Sequence, residues 1–123
     1  MARKILSING NRSMNYLLKT ITSDKYNLIT VPEALQAMWV LKTQKEIECV
    51  LIDLDYHTEQ NLEFIQHLQN SFLYQCPIII LSSNKETDED ITLTNDLNVF
   101  FKPFNPVDLK KLIDDTVRPV HAE

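Results

Sequence analysis

Apolar residues along this chain follow two rhythms that take turns. Short apolar runs occur at Lys4–Ile8, Tyr26–Val31, Cys49–Asp53, Pro77–Leu81 and Val99–Phe101. Runs of that length, rich in Ile, Val and Phe, predict strands, and those without polar alternation predict strands buried on both faces. Between them the spacing changes to i, i+3, i+4, i+7, the mark of an amphipathic helix. Met14, Leu17, Leu18 and Ile21 make one such stripe, and Leu62, Ile65, Leu68 and Phe72 make another. Thr30-Val31-Pro32-Glu33 reads as a capping box with Pro32 in the first helical turn. The helix it opens should turn Ala34, Leu35, Met38 and Leu41 inward, with Trp39 packed. Lys85–Asn95 is a weaker, more polar helix with Thr87 and Asp90 at capping-box spacing. Asn105 as cap and Pro106 at the first position open the last helix, which should bury Leu109, Leu112, Ile113 and Thr116.

Strand and helix thus alternate five times, with Asn9-Gly10-Asn11 and the polar stretch Leu54–Gln60 as connections. Short βα connections produce a parallel sheet covered by helices on both faces. The expectation is a flavodoxin-like (βα)5 three-layer sandwich with strand order 2-1-3-4-5. No linker or repeat interrupts the pattern, so residues 1–123 read as a single domain with its core at 4–117 and a polar tail at 118–123.

Composition removes several function classes. The chain is 44% hydrophobic and 24% charged, with a formal net charge of -5. That balance argues against nucleic acid, which needs clustered Lys and Arg. No segment reaches membrane-spanning length and Met1-Ala2-Arg3-Lys4 runs directly into a strand, so the expected location is cytoplasmic, with no membrane partner. Gly10 is the single glycine. A P-loop or a dinucleotide fingerprint needs several, so both are excluded. Cys49 and Cys76 fit no zinc spacing and read as buried free thiols. With no second acid/base pair and no nucleophile–His pairing, an enzyme is not expected.

Chemistry enters at the strand ends. The run Val50-Leu51-Ile52 stops at Asp53, and a carboxylate there is costly unless it emerges at the sheet's C-terminal edge, where ligands bind in open α/β folds. On the same edge stand Asn9-Gly10, Ser82 and Lys102. Val50-Leu51-Ile52-Asp53, Pro77 to Ser82 and Phe101-Lys102-Pro103-Phe104, in that order, resemble the receiver domain of bacterial two-component response regulators, over Lys4 to Val117. The resemblance implies that Asp53 is the phospho-acceptor, that Ser82 is the hydroxyl that binds phosphoryl oxygens, and that Lys102 is the cation that pairs with the acceptor, followed by Pro103 through a cis bond. It also implies a histidine kinase or phosphotransfer protein as partner, and a homodimer or partner face built from the fourth helix, last strand and last helix, roughly Asp90 to Thr116.

The chain departs from that family in informative places. Asn9 and Gly10 stand where the family holds Mg2+ with an acidic pair. One unit-charge pair at ~4 Å is worth about 4 kcal/mol at an effective dielectric of ~20. Losing two carboxylates should therefore weaken Mg2+ greatly. The remaining metal candidates are Asn9, Asp53 and Asp55, whose backbone carbonyl the family uses, with the Asp55 and Glu59 side chains as rescue. Asp53 against Lys102 alone gives a nearly neutral pit. His57 and Gln60-Asn61 replace the family's proline and Asp-Gly, with His57 read as an exposed loop residue. Val99 replaces the switch aromatic. The expected function is therefore a receiver domain in a phosphorelay with weakened Mg2+-dependent phosphorylation of Asp53. The alternative is a pseudo-receiver that binds protein partners independently of phosphorylation.

Overall fold

Backbone pairing in the computed structural model, which describes residues 3–44, 46–71, 76–84 and 97–117, gives a five-stranded parallel sheet in the order β2-β1-β3-β4-β5. The strands are β1 (Arg3–Ile8), β2 (Tyr26–Val31), β3 (Ile47–Asp53), β4 (Ile78–Ser82) and β5 (Leu97–Phe101). Four helices stand among the described residues: α1 (Arg12–Thr22), α2 (Ala34–Thr43), α3 (Thr58–Gln69) and α4 (Pro106–Val117). The expected strand order is the observed one. The helix expected at Lys85–Asn95, Phe72 as a core residue, and the tail at 118–123 lie outside the described residues.

The period of two along the strands sorts the core into two halves. Leu6, Ile8, Val50, Ile52, Ile78 and Ile80 face one way and pack with Phe64, Ile65 and Leu68 of α3 and Ala37 of α2. Ile5, Cys49, Leu51, Ile79 and Leu81 face the other way and pack with Leu18 of α1 and Leu109, Ile113 and Val117 of α4. Each fully buried aliphatic side chain contributes roughly 1.5–3 kcal/mol. Both faces of the central strands are covered, which explains their unbroken apolar runs.

Side chains cap two helix starts, Asn105 as expected and Asn11 from within the turn after β1, and an expected cap is missing at a third. Asn11 caps α1 by accepting the Met14 N–H at 2.9 Å, and Asn105 Oδ1 accepts the Val107 N–H at 2.9 Å. At α2 the capping box does not form: Thr30 stays in β2, Pro32 precedes the helix, and Glu33 is the N-cap without a side-chain cap bond. α2 also departs from its expected packing. Ala37 is fully buried, while Leu35 and Trp39 are 74% and 68% exposed. Of the two cysteines, Cys49 is buried and Cys76 only half-buried.

Candidate functional site

Strand pairing carries the candidate residues to one edge. Asp53 ends β3, Ser82 ends β4, and Lys102 follows β5 directly. The ladder continues past the strands: Leu54 N–H donates to Leu81 C=O at 2.8 Å, and Lys102 N–H donates to Ser82 C=O at 2.8 Å. Those bonds fix the loops that leave the sheet and hold their side chains in register.

The side chains meet around one ammonium. Lys102 Nζ lies 2.7 Å from Asp53 Oδ2 and 2.9 Å from Asp55 Oδ2. Asp53 is 2% exposed, and the Lys102 ammonium is its counter-ion. Its other oxygen, Oδ1, accepts the Asp55 N–H at 2.8 Å. Asp55 Oδ1 accepts both the backbone N–H and the hydroxyl of Ser83, each at 3.0 Å. Burial works against ionisation of Asp55, yet the Ser83 N–H, the Lys102 ammonium and the Ser83 hydroxyl outweigh it and hold the carboxyl below its ordinary range. Burial also opposes charge on Lys102, but the two carboxylates keep its pKa above the ordinary lysine value.

Asp55 therefore changes the charge count. The sequence suggested a nearly neutral pit of Asp53 against Lys102. Two carboxylates share one ammonium, and the cluster carries one net negative charge. The Asp55 side chain, named above as a possible metal ligand, pairs with Lys102, whereas Glu59 lies exposed in the first turn of α3.

Other candidates take different positions. The Ser82 hydroxyl accepts the Asn84 N–H at 3.0 Å, and it is Ser83, one residue on, that reaches the acidic cluster through Asp55. Asn9 is 4% exposed, and its Oδ1 accepts the Asn11 N–H at 2.7 Å, closing the turn after β1. Its amide nitrogen is buried with no hydrogen-bond partner among the described residues. Gly10 is exposed, and a Cβ built on it would meet none of the described residues within 4 Å. His57 is exposed and stands at the N-cap of α3 with φ 50°. Asn61, read in the sequence only as a departure, is 3% exposed and donates to Asp53 C=O at 3.0 Å and Tyr56 C=O at 3.1 Å. It ties the loop after Asp53 back to the strand end. Val99 is half-buried against the α2–α3 side of the core. The Lys102–Pro103 peptide is cis, as the resemblance implied.

Mg2+ demands near-octahedral oxygen coordination. Both Oδ2 atoms are on Lys102, both Oδ1 atoms accept hydrogen bonds, and the Asn9 oxygen is taken by Asn11. As arranged, these oxygens already serve an ammonium and N–H or O–H donors, so a divalent cation would compete with Lys102 for them. Among the described residues no three His, Cys, Asp or Glu side chains gather into a metal-holding group.

No family model matches the sequence, and no curated protein sequence matches it. Solved structures do match. The signal receiver domain of an HD domain-containing protein from Pseudomonas fluorescens Pf-5 superposes with a TM-score of 0.82 at 16% identity, over 100% of both chains. A response regulator from Thermotoga maritima gives 0.80 at 19% identity, over 97% of this chain and 100% of its own. The receiver domain of a sensor histidine kinase from Pseudomonas aeruginosa PAO1, described with a magnesium ion coordinated in its active-site cleft, gives 0.80 at 17% identity, over 97% of this chain and 100% of its own. The chain has the flavodoxin-like receiver-domain fold of response regulators; identities this low carry the fold alone.

Proposed function

We propose that this chain is a receiver domain in two-component phosphorelay signalling, with Asp53 as the phospho-acceptor and Mg2+ held only weakly. The observation that supports this reading most is the Lys102 ammonium bridging Asp53 and Asp55 at the sheet edge. An Asp53 carboxylate oxygen would attack phosphorus on a histidine kinase or phosphotransfer protein. The new P–O bond replaces the P–N bond, and the released imidazole takes up a proton. Lys102 stands where it would neutralise the transferred group, and hydroxyl or backbone donors of Ser82 and Ser83 would take its oxygens. The chain itself turns over no metabolite on this reading. A cytoplasmic location goes with it; among the described residues no helix is long and apolar enough to cross a membrane. The face containing β5 and α4 is the proposed homodimer or partner contact, by analogy with the fold.

Two observations favour a second reading, the phosphorylation-independent pseudo-receiver. Lys102 already satisfies both carboxylates, and the end of β1 presents the Asn9 amide in place of acids. Incubation with acetyl phosphate and millimolar Mg2+, followed by intact-mass measurement, separates the two. A phosphoryl adduct lost in Asp53→Asn is expected for the receiver. No adduct, with partner binding retained in Asp53→Asn, replaces it with the pseudo-receiver.

A further inference from the structure

The core uses only one side of α2, yet its sequence is apolar on both. Ala37 is fully buried, and Ala34, Met38 and Leu41 pack against the α2–α3 half of the core. Leu35 and Trp39 sit four residues apart, hence adjacent on the helix surface, and face solvent at 74% and 68% exposure. Beside them α2 and α3 enclose a groove of about 460 Å³. Its apolar wall is Ala34, Leu35, Met38 and Phe64, and its acids are Glu33 from the start of α2 and Glu63 from α3. Gln60 and His67 complete its wall, and among the described residues no Lys or Arg lines it.

We infer that this groove and the adjoining Leu35–Trp39 surface dock a basic amphipathic helix of a partner protein. Exposed apolar patches rimmed by polar groups mark interaction sites, and tryptophan is prominent among residues that dominate binding energy. A small molecule confined to the groove would leave Trp39 in water, because Trp39 does not line it. A helix laid across α2 covers both, with anchors spaced three and four residues apart. Glu33 and Glu63, on a chain of net charge -5, select cationic flanks and disfavour anionic lipid or nucleic acid. The site is separate from the Asp53 cluster, so the inference stands apart from phosphotransfer.

Trp39 is the chain's one tryptophan, so its fluorescence reads this surface directly. The test titrates the whole chain with a designed leucine–lysine amphipathic helical peptide. A saturable blue shift of Trp39 emission is expected. Glu33→Lys with Glu63→Lys should weaken binding by roughly tenfold or more, since like charges then face each other. Glu33→Gln with Glu63→Gln should give a smaller loss in the same direction, which guards against a misfolded reversal variant. Thr20→Lys with Asp24→Lys, exposed at the end of α1 across the sheet, raises net charge comparably and should leave affinity within about twofold. The proposal is overturned by an unmoved Trp39 at millimolar peptide, by equal binding of a leucine–glutamate peptide, or by equal loss from the α1 substitutions. It is also overturned if Trp39 shifts with protein concentration alone, which makes a second copy the occupant, or with phosphatidylglycerol vesicles.

Discussion

The two banks of the pit are built on opposite principles. At the end of β1, Asn9 and Gly10 bring no charge, and the Asn9 oxygen is used to close its own turn. Across from it, the ends of β3, β4 and β5 gather Asp53, Asp55, Ser83 and Lys102 into a cluster in which every described carboxylate oxygen has a donor. The neutral bank is held by local backbone bonds. The charged bank is held by one ammonium from a distant part of the chain. Stability on the charged side should therefore depend on Lys102, while affinity for a divalent cation should depend on what is put back on the neutral side.

The strongest break is Lys102→Ala. It leaves the Asp53 carboxylate buried without its counter-ion, and removing one partner of a buried pair costs about 3–5 kcal/mol. Urea unfolding at neutral pH should show that loss, with much of it recovered when Asp53→Asn is added. A loss of a few tenths would mean that water replaces the ammonium freely. Next in size is Asn9→Asp with Gly10→Asp. Space for the second side chain is open, and two added carboxylates should raise Mg2+ affinity at least roughly tenfold. Calorimetric titration checks this; unchanged affinity would place control on the charged bank.

Much of this was readable in the sequence, for physical reasons that also explain the misses. Strand positions follow from alternation: Ile5 and Leu6 face opposite halves of the core, as a period of two requires. Asp53 and Lys102 stand out because charges that interrupt buried runs have few places to go. α2 was misread because residues of one apolar character surround it, so periodicity cannot say whether Leu35 or Ala37 faces the sheet. The near-neutral pit failed because Asp55 lies in a loop, where no period sets a side chain's direction. Ser83 acts partly through its backbone N–H, which every non-proline residue has and no sequence pattern marks. Asn61 reaches Asp53 only because α3 begins at Thr58, straight after a left-handed His57, within what reads as a polar loop.

Two smaller predictions sharpen the contrast. Asp55→Asn keeps the shape and removes the charge, and should cost about 1 kcal/mol, as expected for hydrogen bonds at a partly exposed group. Its signature is in acid. The folded Asp55 pKa lies below the unfolded value, so its stabilisation is complete above the unfolded pKa and lost as pH falls through the folded one. Wild type should lose stability more steeply than Asp55→Asn below about pH 4. Lys102 has the opposite sign: its contribution is present below the unfolded lysine pKa and lost as pH rises through the higher folded value. Smallest is Asn9→Ala, which opens the turn after β1 and should cost about 0.5 kcal/mol by thermal unfolding.

Arg3 Nη1 donates to the Val117 carbonyl at 2.9 Å, so the start of β1 and the finish of α4 are neighbours. Both lie at the pole away from the carboxylate–ammonium cluster. Relinking the backbone there and reopening it in a surface turn, or grafting the domain into a host loop through those two points, should leave the acidic pocket unobstructed at the far pole.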